Sequence, residues 1–295
     1  MAIKLYTQAY AGQLPDLFTK QSRFLRSFGG NIQTLVGKEA DENFLKLKVS
    51  DTDVVIQEYS TDPDVAFGTG TGNSNRFGPR KEVKSVDLQV PFDTPLSIHE
   101  GIDGFTVNDI PDQVVAERLA LHAIAWAERY DGVISKVLSD AASATLTGTL
   151  DEAGVTKAFN DAHKAFVNNR VSRNIAWVAY VNTDVYNLLV DNKLATTAKK
   201  SETNVDDQAV YKFKGFIIEE VEDDKFQTGE NIVFAADNVG VAGVGIPVTR
   251  AIDSEDFAGV ALQGAGKLGK YVPEKNKKAI LKATLTETTT PETGE

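Results

Sequence analysis

The stretch DIPDQVVAERLALHAIAWAERYDGVISKVLSDAA, residues 109–142, keeps one helical period over its whole length and organises the reading of the chain. Pro111 suits a first helical turn, where its missing N–H is not needed, and Asp109 or Asp112 can serve the exposed amides. Ala116, Leu119, Ala120, Ala123, Ala127, Tyr130, Ile134 and Leu138 recur at three- and four-residue steps and predict one apolar stripe. Val115, Trp126, Val133 and Val137 widen that stripe, so the helix is expected to pack on more than one side. At ~1.5 Å per residue it runs on the order of 45 Å, more than one small domain needs. The charged remainder, including Glu117, Arg118, Glu128, Arg129 and Lys136, is expected to face solvent or a neighbour.

Upstream, Leu14, Leu17, Phe18, Gln21, Leu25 and Phe28 follow helical spacing, and Gly29-Gly30 is a stop signal. Lys20, Arg23 and Arg26 lie on the other side. A basic amphipathic element also suits a membrane surface, but docking on protein is the stronger reading. From Phe44 the period changes to two. Leu45, Leu47 and Val49 alternate with lysines, Val54 to Tyr59 reads as a second β-prone run, and Val86, Leu88, Val90 and Phe92 form a returning strand. Between them, Ser60 to Arg80 is rich in glycine and nearly free of apolar residues. A loop of roughly twenty residues without its own structure normally carries function or disorder. A lone hairpin is also marginal in water, so this one needs a surface supplied by something else.

Downstream, Thr149-Leu150-Asp151-Glu152 has capping-box spacing and opens a helix with Val155, Ala158, Phe159, Ala162 and Phe166 on one face. Ile175, Trp177, Ala179 and Val181 alternate as a strand, Asn182-Thr183-Asp184 caps a helix through Leu189, and Ala195 to Gln208 is a polar loop. Tyr211 to Val221, Ile232 to Ala235, Val239 to Val244, Val248 to Ile252, Phe257 to Leu262, Leu268 to Val272 and Ala279 to Leu285 read as short strands. The threonine-rich tail has nothing to bury. The fold class is α+β.

Composition excludes several chemistries. The chain has 295 residues, a formal charge of −11 and no cysteine. Disulfides, thiolate metal sites and cysteine nucleophiles are therefore ruled out, and the acidic balance opposes a general affinity for nucleic-acid phosphates. His99, His122 and His163 are scattered, so no histidine metal site is expected. No apolar run approaches the ~20 residues of a membrane span. Gly264-Ala265-Gly266-Lys267-Leu268-Gly269 matches a dinucleotide pattern but is followed by Tyr271-Val272-Pro273 instead of a helix, so its glycines are read as turn residues. Glu219, Glu220, Glu222, Asp223 and Asp224 form the densest acidic cluster, read as a strand end with a solvated or subunit-facing loop. No serine sits in a nucleophile elbow. The sequence offers no catalytic residue, no cofactor site and no metal site.

Four separated words, RFGPRKEV (76–83), IHEGIDGFTVN (98–108), FKGFIIEE (213–220) and SEDFAGVALQGAGK (254–267), together with the order of elements, carry a resemblance to the major capsid proteins of tailed bacteriophages. The sequence is similar to the group from phages of Gram-positive bacteria. The resemblance implies the Hong Kong 97-type fold, divided here as an N-terminal arm (1–43), an E-loop β-hairpin (44–98), a P-domain spine helix (99–143), an A-domain (144–243), P-domain strands (244–285) and a disordered tail (286–295).

It further implies a virion subunit, assembled in the host cytoplasm, that closes into pentamers and hexamers around double-stranded DNA without sequence-specific contact. A portal and possible head decoration proteins are its implied partners. Because Met1 leads directly into the arm, a separate scaffolding protein is expected. Leu17, Phe18, Leu25 and Phe28 of the arm, Arg76, Phe77, Arg80 and Lys81 of the hairpin, and the acids Glu117, Glu128, Glu219, Glu220 and Glu222 are the expected subunit-interface residues. An encapsulin-like compartment shell is the alternative with the same fold, and a soluble enzyme or carbohydrate-binding domain is a third class.

Overall fold

Residues 23–30, 32–35, 43–50, 54–62, 65, 75–105, 111–191 and 212–287 are described by the computed structural model. Leu17, Phe18, the glycine-rich segment 66–74, the polar loop within 192–211 and the tail from 288 lie outside the described residues. The chain divides into two compact units, one formed by Asn43–Pro91 and the other by the rest.

The smaller unit is a hairpin. After β1 (Gln33–Leu35), which belongs to the larger unit, β2 (Asn43–Val49) pairs antiparallel with β3 (Val86–Pro91), setting Leu47 opposite Leu88 and Val49 opposite Val86. The expected second run, Val54 to Tyr59, is not a strand: its backbone joins no ladder, and Val54 and Ile56 are each 95% exposed. β-branched composition alone does not make a strand where no partner edge lies alongside.

The larger unit holds two sheets. β4 (Leu96–Asp103) precedes helix α1 (Pro111–Ala141), followed by β5 (Thr145–Thr149), α2 (Glu152–Asn168), β6 (Trp177–Val181) and α3 (Thr183–Asp191). Then come β7 (Lys212–Phe213), β8 (Phe216–Glu220), β9 (Ile232–Ala236), β10 (Val241–Asp253), β11 (Gly259–Tyr271) and β12 (Ile280–Thr286). One sheet has the order β1-β10-β11-β4, the other β5-β12-β9-β6-β8-β7.

Four expected short strands fuse into two long ones. Val239–Val244 and Val248–Ile252 become β10, with one register shift between Gly245 and Val248, and Phe257–Leu262 and Leu268–Val272 become β11. The glycines at 264, 266 and 269 are therefore mid-strand and not in a turn. A Cβ on Gly264 would stand 3.5 Å from Trp126 Nε1, ordinary van der Waals contact, which places this strand position directly under α1. Strand β4, absent from the sequence reading, completes the sheet by pairing His99 with Gln263 and Glu100 with Leu262. It crosses the boundary placed at 98/99, and β10 crosses the one at 243/244. β12, expected among the P-domain strands, instead lies between β5 and β9 in the six-stranded sheet.

Helix α1 serves both sheets. Val115 and Leu119 pack with Leu262, Trp126 and Tyr130 pack with Val244 and Leu268, and Ile134 and Leu138 enter the main core under the six-stranded sheet. Ala116 and Ala120, expected in the stripe, are exposed. The buried face is carried at that end by Val115, Leu119 and His122, because it turns to follow the sheet. The helix over Glu152–Asn168 buries all five expected residues, but its cap is Asp151, whose side chain accepts a 2.6 Å bond from the Gly154 amide, and not the Thr149 box. In α3, Asn182 caps as expected by accepting from the Val185 amide at 3.1 Å.

The alternation expected for β6 fails for a physical reason: all five residues are buried. It is a central strand covered on both faces. Trp177 meets Phe166 of α2 at 5.2 Å between ring centroids, while Tyr180, three positions on, meets Phe24 at 4.5 Å on the opposite face. On the α2 side, Phe159 lies 5.0 Å from both Phe213 and Phe234 in an edge-on aromatic cluster.

Candidate assembly surfaces

The N-terminal turn does not offer its apolar face to a neighbour. Phe24–Phe28 is a 3₁₀ helix in which Leu25 and Phe28 are 2% and 3% exposed, packed in the chain's own core. Asp131 of α1 accepts from the Arg23 and Phe24 amides at 3.0 Å each, holding the turn in place. Arg26 donates to Asp237 at 2.8 Å and to Glu219 at 3.4 Å. The expectation that Leu25 and Phe28 meet another subunit is thus corrected: a short turn this apolar buries itself first. Glu219 is likewise engaged within the fold.

The other acids stay outward. Glu220 at the C-terminal end of β8, and Glu222, Asp223 and Asp224 just beyond it, are exposed. Glu222 reaches Arg23 at 3.7 Å across two half-exposed side chains, a contact worth about 0 to 1 kcal/mol in water. Glu128 and Asp131 of α1 join Glu222 and Asp224 around a cleft of about 380 Å³ that also holds Arg23 and Lys225. The fold therefore brings Glu128 and Glu222 together across nearly a hundred positions of sequence. Glu117 lies three turns away on α1 and shares no cleft with them.

In the hairpin unit, Arg76 donates from Nε to the Val65 carbonyl at 3.0 Å and from a terminal nitrogen to the Asp62 carbonyl at 3.3 Å, stitching its own loop. Phe77 is 75% exposed, with its ring 5.2 Å from that of Tyr59. Arg80 and Lys81 are exposed beside it and, with Val54, Val55, Phe77 and Val83, line a groove of about 460 Å³. An apolar row this exposed, edged by cations, is the unit's outstanding surface feature.

Two clusters escaped the sequence reading. Arg118 of α1 forks onto Glu100 of β4 with bonds of 2.9 and 2.5 Å, and buried His122 places Nε2 2.9 Å from the same carboxylate without the alignment of a hydrogen bond. The Arg118 bonds, with His122 adding to them, hold the Glu100 carboxyl at about 2, down from 4.5. The 18-residue sequence separation of Arg118 from Glu100 hides this pair until β4 is recognised as a strand.

The second cluster is a pocket of about 210 Å³ at the N-terminal ends of β6 and β8, lined by His163, Arg173, Ile175, Trp177, Lys212 and Gly215 among others, with no acid among its described lining residues. Lys214 and Gly215 join β7 to β8 with φ of 48° and 96°, a two-residue turn whose first position usually takes glycine or asparagine. Arg170, after the end of α2, has φ of 57°. Lys214, one of the three non-glycine residues with positive φ among those described, thus directly precedes the lining residue Gly215, at a backbone cost of roughly 1 kcal/mol.

Neither a family model nor a curated protein matches the sequence. Solved structures do match. The chain is similar to a chain of the bacteriophage PhiM1 mature capsid with a TM-score of 0.62 at 14% identity, over 92% of this chain and 88% of that one. The chain has the Hong Kong 97-type capsid fold. A structure from Mycobacterium phage Che8 shares this capsid fold over 96% of this chain and 93% of its own, with a TM-score of 0.59 at 17% identity. A virus-like particle from Pyrococcus furiosus is also similar, with a TM-score of 0.52 at 14% identity, over 94% of this chain and 99% of the other. Among the described residues no helix is long and apolar enough to cross a membrane.

Proposed function

We propose that this chain is the major head subunit of a tailed bacteriophage, closing as pentamers and hexamers into an icosahedral shell around double-stranded DNA. One observation carries the reading: the likeness to a mature phage capsid chain extends over about nine-tenths of both chains, so the whole subunit architecture is shared and not a single domain. The role is structural, without a reaction of its own. The hairpin's apolar row and the cations Arg80 and Lys81 are assigned to contact with an adjacent subunit, and Phe77 is its central anchor. Arg76 is assigned to shaping the loop. Glu117 and Glu128 on α1 remain candidates for the receiving surface.

Packaged DNA would be enclosed without sequence readout, consistent with the net charge of −11, which disfavours tight phosphate binding. A separate scaffolding protein, a portal and decoration proteins would complete the head in the host cytoplasm. The narrower grouping with phages of Gram-positive bacteria rests on the four sequence words quoted above.

The test is expression of the full chain followed by size-exclusion chromatography and negative-stain microscopy. Rings, sheets, tubes or shells are expected. A protein that stays monomeric over a wide range of concentration and salt would overturn the reading.

A further inference from the structure

We infer that the basic pocket at one end of β8 receives the acidic segment Glu220–Asp224 of a second copy of this chain, forming the head-to-tail contact within a capsomer. The inference rests on the shell-subunit reading and adds to it the partner of one surface and the direction of the contact.

The argument starts from charge. The chain carries a formal charge of −11, yet Arg173, Lys212 and His163 converge on one pocket whose described lining holds no acid. Lys214, in left-handed backbone, directly precedes the lining residue Gly215 and adds a further cation at its edge. Trp177 and Ile175 give the pocket an apolar wall, and the His163 ring stands edge-on to Trp177 at 5.6 Å. At about 210 Å³ the site is the size of a side chain or two, not of an extended polymer. A carboxylate side chain fits both the volume and the charge.

The same strand supplies the complement. β8 is five residues long, with Lys214-Gly215 immediately before Phe216 and Glu220 at its far end, where Glu222, Asp223 and Asp224 follow. β6 runs parallel beside it, so the N-terminal ends of both strands meet the basic pocket and the acids leave from the other end. The Asp224 side chain is 77% exposed and that of Glu222 56%, so the acidic end is open to a partner.

One subunit therefore presents a cationic pocket and an anionic segment about one strand length apart, on opposite sides of the sheet's end-to-end direction. Two different surfaces that complement each other in this way make a heterologous contact, and repetition with rotation closes a ring. A pocket that instead gripped DNA would need no acidic counterpart on the same strand.

Charge reversal tests this in the full chain. Arg173→Glu with Lys214→Glu makes one end anionic, and Glu220→Lys with Asp224→Lys makes the other cationic. All four side chains are exposed, so both variants are expected to melt like the unaltered chain. Each double variant alone sets like charges together and is expected to lower the yield of capsomers at low salt at least tenfold, read by size-exclusion chromatography and microscopy. The chain carrying all four changes restores the pairing and should recover assembly.

Mixing the two double variants gives a sharper readout. Complementary contacts then form only between unlike copies, so rings close only with an even number of subunits. Hexamers should return and pentamers should not, giving sheets or tubes in place of closed shells. Assembly of both double variants at the unaltered yield overturns the contact, as does failure of the fourfold variant to recover. Loss of duplex-DNA binding by the Arg173→Glu, Lys214→Glu chain with capsomer yield unchanged also overturns it, in favour of a nucleic-acid surface. If the unaltered chain forms no capsomers, the shell-subunit reading itself fails and takes this contact with it.

Discussion

The Ser27 hydroxyl lies 2.7 Å from the Tyr180 hydroxyl, and neither side chain reaches solvent. This bond joins the N-terminal turn to the central strand of the six-stranded sheet across more than 150 positions of sequence. Burial pushes the Tyr180 phenol well above its ordinary value, so it stays a neutral donor or acceptor throughout the accessible pH range. Tyr180→Phe keeps the ring against Phe24 but strands the Ser27 hydroxyl. It is expected to destabilise by about 1 to 2 kcal/mol in urea unfolding, and adding Ser27→Ala should cost little more, since both partners are then removed. Full additivity of the two losses would show the bond to be absent.

Acid should be felt through Glu100. The Arg118 bonds, with a smaller part from His122, hold its carboxyl at about 2 against 4.5. A depressed carboxyl contributes stability that is complete above the unfolded value and is lost as pH falls from about 4.5 to about 2. Glu100→Gln is expected to lower stability by about 1 kcal/mol at pH 7, the part left after solvent screening of a partly exposed pair. Melting curves from pH 7 to pH 2 should show this difference shrinking to nothing at the acid end. A difference that stays constant across that range would mean that Arg118 does not select the charged form.

Two glycines of similar appearance in the sequence should respond in opposite directions. A Cβ on Gly240 would fall 2.5 Å from Phe28 Cε1 and 2.9 Å from the Tyr271 carbonyl oxygen, and Phe28 is buried and unable to swing aside. Gly240→Ala is expected to destabilise by about 1 to 3 kcal/mol through overpacking. Gly132, in the middle of α1, has nothing within 4 Å of its added Cβ. Gly132→Ala should stabilise by about 0.5 to 1 kcal/mol, because alanine loses less backbone freedom in a helix. Denaturant midpoints of the two variants, measured together, decide the pair.

The hairpin's apolar row should matter to assembly and not to folding. Val54 and Ile56 are each 95% exposed, so Val54→Ser with Ile56→Ser is expected to change subunit stability by no more than about 0.5 kcal/mol. The same variant should assemble markedly less well than the unaltered chain in sedimentation assays. Unchanged assembly would remove this row from the lattice contacts.

Much of the architecture was legible residue by residue. The helix over residues 111–141, the apolar face of α2, the Asn182 cap and the hairpin of β2 with β3 all follow from periodicity and capping, which are local properties. The errors have a common cause. Val54–Tyr59 has strand composition without a strand partner, β4 has a strand partner without strong strand composition, and the glycine run at 264–269 reads as a turn until its two neighbours in the sheet are known. Strand identity is settled by pairing, and pairing is not local.

The candidate surfaces divide the same way. The sequence by itself determined the class of the molecule: an acidic, cysteine-free α+β chain built on one long helix, with four words that resemble those of phage capsid proteins. Only the tertiary structure decided which exposed groups remain for a partner. It took Leu25, Phe28 and Glu219 into the subunit's own contacts, left Glu220, Glu222, Phe77, Arg80 and Lys81 outside, and gathered His163, Arg173 and Lys212 from three separate segments into one basic pocket. The physical reason is that apolar area and charge are properties of residues, whereas burial and electrostatic company depend on which distant segments the sheets bring alongside.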